Sequence, residues 1–283
     1  FLFLRFSIVS VVLLPYAIMK VRKEKIDKAD HWKLIVLGIF SQTNLLILFL
    51  AYNLTSVLDA TIISVMGSVL SVYAGHYFYK EKIEKKLTIG LIVATVGTLI
   101  VMLEPIMSTA FNDVVAWKRI LGNGLIVLYN LNWVSYVVWS KMTMGENSTE
   151  LKRTLRIFHV KPMKVKYEPS TIVTLSFYTG TITVLPFMVI ENFINPFHIG
   201  SVGIEGVLGL LYMALLSSIV AYLLYQWALE YVKVSDTAIY GYLSPVFTLP
   251  FVYWLLGEVP NSYMLLGGDL IAVGVIIAES RNT

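Results

Sequence analysis

The chain has 283 residues, of which 57% are hydrophobic and 14% charged, with a formal net charge of +4 and no cysteine. Soluble domains carry about 25% charged residues, so this composition excludes an ordinary soluble globular protein and predicts an integral membrane protein. Without cysteine there is neither a disulfide framework nor a thiolate metal site.

In chain order, apolar runs fall at residues 1–19, 34–52, 57–79, 87–103, 120–140, 171–190, 205–229, 235–256 and 263–279. Each has roughly the length a helix needs to cross a hydrocarbon core of about 30 Å. Polar and apolar residues do not alternate in segments of about ten, which excludes an outer-membrane barrel. The expected fold class is therefore an all-α polytopic membrane protein with nine visible transmembrane helices. Lys and Arg resist translocation and mark the cytoplasmic side. Lys20 to Lys33, Lys80 to Lys86, Lys141 to Lys166, Lys233 and Arg281 fall on one side of the predicted spans, and only Lys118 and Arg119 on the other. The expected location is the plasma (inner) membrane, with the C-terminus cytoplasmic. The basic connection 141–170 is expected to lie near anionic headgroups, and nucleic acid is not an expected partner.

One stretch is written twice. Asp59, Ile62, Val69, Glu81, Gly90, Val96, Gly97 and Ile100 match Asp236, Ile239, Val246, Glu258, Gly267, Val273, Gly274 and Ile277 without a gap. Each copy is a two-helix hairpin. An odd number of crossings separates the copies, so they are expected to be inverted, the architecture of many secondary carriers. Pro15-Tyr16 aligns with Pro186-Phe187, which leaves the helix at 120–140 without a counterpart. A five-plus-five arrangement is expected, with one helix preceding Phe1. On this reading residues 1–105 form a first repeat lacking its first helix, and 106–140 an extracellular loop plus the first helix of the second repeat. Residues 141–170 are a cytoplasmic connection, and 171–283 are the remaining four helices.

With Leu4-Arg5-Phe6, Ala51-Tyr52 before Asp59-Ala60-Thr61, Tyr242 through Pro245, Leu256-Gly257-Glu258, and then Gly267 and Gly274, the chain resembles EamA-type transporters of the drug/metabolite transporter superfamily. The resemblance covers nearly all of it outside the central connection. It implies a ten-helix inverted-repeat carrier for small metabolites, often amino acids or their relatives. Gly67-Ser68 stands in the first copy where Ser244-Pro245 stands in the second.

Polar side chains inside membrane spans tend to face a bundle interior or a wet cavity. The substrate-cavity candidates are Arg5, Gln42, Asn44, Asn130, Trp133, Tyr136, Ser218, Tyr222, Gln226, Tyr240 and Ser244. Ser218, Tyr222 and Gln226 recur every four residues on one helical face. Arg5 suits a substrate carboxylate, or alternatively snorkels to headgroups. Asp269, about two turns into its span, is the candidate for proton coupling, although the resemblance gives it no support. Gly67, Ser68, Pro245 and Pro250 are hinge candidates, with close helix packing as the other reading. Glu81 and Glu258 are expected to hold their hairpin turns by accepting backbone N–H groups at the next helix start.

No zinc-protease, nucleophile-elbow or phosphate-loop motif is present, so neither an enzyme nor a cofactor or metal is expected. The expected function is secondary transport of a small polar metabolite, an amino acid or related compound moved outward, by alternating access. The alternatives are a nucleotide-sugar or lipid-linked sugar carrier, which calls for paired basic residues in the cavity, and a non-transporting scaffold or receptor. Lipid, the solute and protons are the expected partners.

Overall fold

The computed structural model describes residues 1–21, 26–81, 85–108, 114–146, 149–157, 161–194, 196 and 202–280. Among these there is no strand. The helices are α1 (Leu2–Tyr16), α2 (His31–Tyr52), α3 (Val57–Tyr79), α4 (Lys85–Ser108), α5 (Val114–Thr143), α6 (Thr149–Ile157), α7 (Pro169–Ile194), α8 (Ile204–Ala214), α9 (Ala221–Tyr231), α10 (Ala238–Phe251) and α11 (Ser262–Glu279). Wider π-type turns continue α1 over Ala17–Val21, join α8 to α9 over Leu215–Val220, and extend α10 over Val252–Leu256. Leu2–Met19, His31–Tyr52, Val57–Tyr79, Pro169–Ile194 and Ile204–Tyr231 are long and apolar enough to cross a membrane. The protein is thus a polytopic helical membrane protein. The other four predicted spans fall on α4, α5, α10 and α11, which are helical.

The chain forms two compact units, each drawing on both halves of the sequence. The first contains Phe1–Leu46, Trp139–Asn147 and Leu155–Tyr231. Here α1 lies on α7. The rings of Phe6 and Phe177 meet edge to face at 5.8 Å, Ser10 and Thr181 share a 2.9 Å hydrogen bond, and Tyr178 donates to the Ser10 carbonyl at 2.8 Å. Such contacts hold helices together in lipid, where neighbouring acyl chains are as apolar as leucine. On α2, Gly38 admits Thr179 of α7, since a Cβ at Gly38 would lie 2.7 Å from the threonine Cβ.

A polar hub closes one end of this unit. Asp30 is fully buried and accepts hydrogen bonds from Lys33 Nζ (2.6 Å), the Lys164 N–H (2.9 Å), the Val165 N–H (3.3 Å) and the Tyr167 hydroxyl (3.1 Å). Lys33 Nζ also donates to the Pro162 carbonyl at 2.9 Å, so the segment before α7 is tied to the start of α2. Burial pushes the Asp30 carboxyl up, but the hydrogen bonds and charge of Lys33, with the Lys164 and Tyr167 donors, outweigh it and hold it below the usual range. Burial, supplemented by donation to Asp30, pushes the Tyr167 phenol up to about 12 even though the Asp27 N–H donates to it.

The second unit contains Ile47–Val138, Ser148–Thr154 and Val232–Thr283, with α3 its most enclosed span. In it α4 and α11 run antiparallel with their backbones in close approach. A Cβ on Gly274 would lie 2.6 Å from the Gly90 carbonyl oxygen, and one on Gly267 would lie 2.8 Å from that of Gly97. The glycines shared by the two sequence copies therefore face one another in exchange, which lets bare backbone meet backbone. On the adjacent pair, Ser68 of α3 sits against Gly241 of α10.

The carboxylates at the hairpin turns are exchanged in the same way. Glu258 accepts from the Leu58 N–H (2.8 Å) and the Val57 N–H (3.4 Å) at the start of α3. Glu81 accepts from the Val234 and Ser235 N–H groups, both at 3.0 Å, at the start of the α10 region. Residues 57, 58 and 81 correspond to 234, 235 and 258 at the repeat offset. The sequence expectation needs correction here: among the described residues each Glu reaches the first helix of the opposite hairpin and not the next helix of its own. The reason is the orphan N–H groups that every helix start leaves. The antiparallel pairing brings the far hairpin's start closest to the carboxylate.

Candidate functional site

In the first unit the most distinctive side chain is Arg5, only 2% exposed within α1. Its Nε donates to Ser218 Oγ at 2.7 Å, and Nη2 lies 3.4 Å from Ser217 Oγ. No carboxylate pairs with it among the described residues. Guanidinium has five N–H donors, so two serine contacts leave capacity for an anionic acceptor. The serines are aimed by the π turn over Leu215–Val220, where Ser218 Oγ also donates five residues back to the Met213 carbonyl at 2.9 Å. Such turns re-aim side chains within an otherwise regular helix. Tyr222 lies within electrostatic range of the guanidinium, and its ring is 5.4 Å from that of Phe177, which also meets Phe6. The result is a buried cation with hydroxyls on one side and aromatic faces nearby.

Further polar groups lie in the same unit. Gln42 is fully buried; its Nε2 donates to Ser41 Oγ at 3.1 Å and its Oε1 has no partner among the described residues. Its side chain fits against Gly180 of α7. Gln226 Nε2 donates to Ser140 Oγ at 3.0 Å, and Asn44 is buried. Six sequence candidates, Arg5, Gln42, Asn44, Ser218, Tyr222 and Gln226, thus belong to one unit.

The remaining candidates belong to the second unit. Asn130 Nδ2 donates to the Ile63 carbonyl at 3.0 Å, and its Oδ1 lies where a Cβ on Gly67 would be 2.7 Å away. Gly67 is therefore a seat for Asn130, and Ser68 a contact to α10. The Trp133 and Tyr136 rings meet at 5.4 Å, with Tyr136 fully buried. Ser244 and Pro250 on α10 are exposed. The side chains of Tyr240 and Pro245 lie outside the described residues. Asp269 is exposed on the flank of α11, where it lines a groove of about 680 Å³.

A network that the sequence did not suggest joins α3, α4 and α5. Arg119 Nη2 lies 2.7 Å from Asp59 Oδ2 and 2.9 Å from Glu104 Oε2. Thr55 Oγ1 donates to Asp59 at 3.0 Å and also pairs with Asn123, while Asn261 donates to Glu104. Both carboxylates are at most 1% exposed. The available signal was Arg119 itself, one of the two basic residues that the sequence expectation sets apart from the other loop charges.

A bundle of apolar helices with buried, partly unsatisfied polar groups at depth is the construction of a membrane transport protein. Residues 1–103 and 154–279 match the EamA-like transporter family, and the chain belongs to that family. It is 26% identical over 280 residues to an uncharacterized transporter of Archaeoglobus fulgidus, covering 99% of this chain and 86% of that protein. A second uncharacterized transporter, from Clostridium kluyveri, is 24% identical over 280 residues, covering 98% of this chain and 82% of its own. A shorter match, 26% over 124 residues and 44% of this chain, covers 40% of a probable terminal-alkyne amino-acid exporter of Streptantibioticus cattleyicolor. Among solved structures, a crystal structure matches 99% of this chain and 87% of its own with a TM-score of 0.59 at 15% identity, a likeness of fold. The protein is accordingly a small-molecule transporter.

Proposed function

We propose that this transporter exports small zwitterionic metabolites, amino acids or close relatives, across the plasma membrane by alternating access between two inverted repeats. The observation that carries the reading is Arg5, a buried guanidinium without a carboxylate partner among the described residues, beside two serine hydroxyls and an aromatic wall. A solute carboxylate would complete its donors, while Phe177 and Tyr222 would face an apolar part of the solute. The name of the Streptantibioticus relative supports this substrate class. The exchanged carboxylates Glu81 and Glu258 and the exchanged glycines of α4 and α11 support two inverted repeats, and the Lys and Arg asymmetry of the connections supports a cytoplasmic C-terminus.

The test is transport in proteoliposomes by the full-length protein, using a panel of labelled amino acids alongside the matching decarboxylated amines. Saturable flux of an amino acid, no flux of its amine, and loss of flux in Arg5→Gln are expected. Wild-type flux in Arg5→Gln would overturn the assignment. Imposing a pH gradient in the same assay tests Asp269 as the coupling group. Gradient-driven uptake that disappears in Asp269→Asn would assign it that role, and gradient-independent uptake would remove it.

A further inference from the structure

Asp269 is at odds with its surroundings. Along α11 it stands eight residues beyond the cap Asn261, whose side chain accepts the Met264 N–H at 3.0 Å. At 1.5 Å per residue that is about 12 Å along the helix. A hydrocarbon core about 30 Å thick places such a position inside lipid. Membrane-embedded carboxylates ordinarily turn inward and pair. Asp269 is exposed on the helix flank and has no hydrogen-bond or ion-pair partner among the described residues.

It opens instead onto the groove of about 680 Å³ formed within the second unit by α3, the end of α10 and α11. Ile62 and Val65 of α3 and Met264 and Ile271 of α11 make an apolar floor, and Tyr253 presents an exposed ring at the side. The other carboxylate on the groove, Glu258, already accepts the N–H groups of Val57 and Leu58. The groove therefore combines drug-sized volume, apolar walls, an aromatic ring and one uncommitted negative charge.

These features select the occupant by charge and by solvation. A metal ion needs several oxygen or nitrogen ligands, and no group of three or more His, Asp or Glu side chains is assembled among the described residues. An uncharged lipid tail leaves the carboxylate unpaired, and an anion is repelled. An organic cation with an apolar body satisfies each wall: its charge pairs with Asp269, its body covers Ile62, Val65 and Ile271, and Tyr253 offers a ring face to the cation. We propose that this lateral groove is a binding site for lipophilic organic cations entering from the bilayer, with Asp269 as counter-ion. It is separate from the Arg5 residues, which belong to the first unit.

Equilibrium binding of tetraphenylphosphonium to the full-length protein in phosphatidylcholine nanodiscs tests this, with tetraphenylborate as a probe of nearly the same shape and opposite charge. Saturable one-to-one binding of the phosphonium and none of the borate is expected. Asp269→Asn should weaken binding about tenfold or more, equivalent to about 1.4 kcal/mol. Asp269→Glu should retain it. Ala272→Trp, which keeps the carboxylate and fills the groove, should abolish it, with thermal unfolding confirming that all three variants are folded. Absence of saturable phosphonium binding, equal affinity in Asp269→Asn, or equal binding of the borate would overturn the proposal. So would disulfide trapping of two copies through Leu265→Cys, since a second copy would then occupy the groove.

Discussion

Replacing Arg119 by Met removes the cation shared by two carboxylates while keeping most of the side chain's volume. Asp59 is 0% and Glu104 1% exposed, and the guanidinium lies 2.7 and 2.9 Å from them. Removing one partner of a buried ion pair costs about 3–5 kcal/mol, because the remaining charge stays buried without compensation. Two considerations bracket the value here. Arg119 itself is 29% exposed, so water enters on its side and lowers the penalty, whereas two carboxylates and not one lose their partner. We expect about 3 kcal/mol, and at about 2–4 °C per kcal/mol for chains near this size the apparent Tm should fall by about 6–12 °C. Thermal unfolding of the detergent-solubilised protein, followed by loss of monodispersity, measures it. Asp59→Asn in the Arg119→Met background should restore part of the loss, because one uncompensated charge is then gone. A Tm within about 1 °C of wild type in the single variant would refute the argument, as would additive losses in the double variant.

The exchanged caps predict that Glu81→Ala and Glu258→Ala each lower stability by about 1–2 kcal/mol, since each leaves two helix-start N–H groups unmet; thermal unfolding of both variants checks the symmetry, and a loss from only one would contradict it. Gly274→Val should destabilise by about 1–3 kcal/mol or more in the same assay, because a Cβ there lies 2.6 Å from the Gly90 carbonyl, a backbone atom that cannot turn aside. The Asp30 hub has a defined pH window. The folded carboxyl sits below its unfolded value of about 3.9, so its contribution is complete above that value and is lost as pH falls through the folded value. Tyr167, raised to about 12, has the opposite sign: its contribution is complete below about 10 and is lost as pH rises through 12. Hydrogen exchange should find the Lys164 and Val165 amides protected at pH 5 and released as pH falls through the folded value of Asp30. In Asp30→Asn they should already be less protected at pH 7.

The membrane class, the helices and the family were legible because apolar run length and a repeat at fixed offset are properties of the chain alone. The repeat also exposed Glu81, Glu258 and the paired glycines, although their exchange between hairpins was not readable: proximity across two hundred residues depends on which helices pack, and a turn Glu has a local partner in sequence terms. Arg5 and the Ser218, Tyr222 and Gln226 face stand out as candidates because polar residues are conspicuous in an apolar helix. Ser217 was missed, since it faces Arg5 only through a π turn that carries no proline or glycine to announce it. Asn130 is a cavity candidate by the same logic as Arg5, and in the structure its Nδ2 bonds to the α3 backbone; composition alone does not separate a side chain that joins two helices from one that meets a solute.

The carboxylate exchange also orders events during synthesis. The Leu58 N–H at the start of α3 waits for Glu258, 200 residues further along the chain. At about 5–20 residues per second the ribosome delivers that partner about 10–40 s later. Until then the first hairpin sits in the bilayer with its entry amides unmet, a provisional structure that only the last hairpin can lock. Truncating the chain before Glu258 should therefore leave an inserted but unfinished intermediate, open to quality-control proteases at the start of α3.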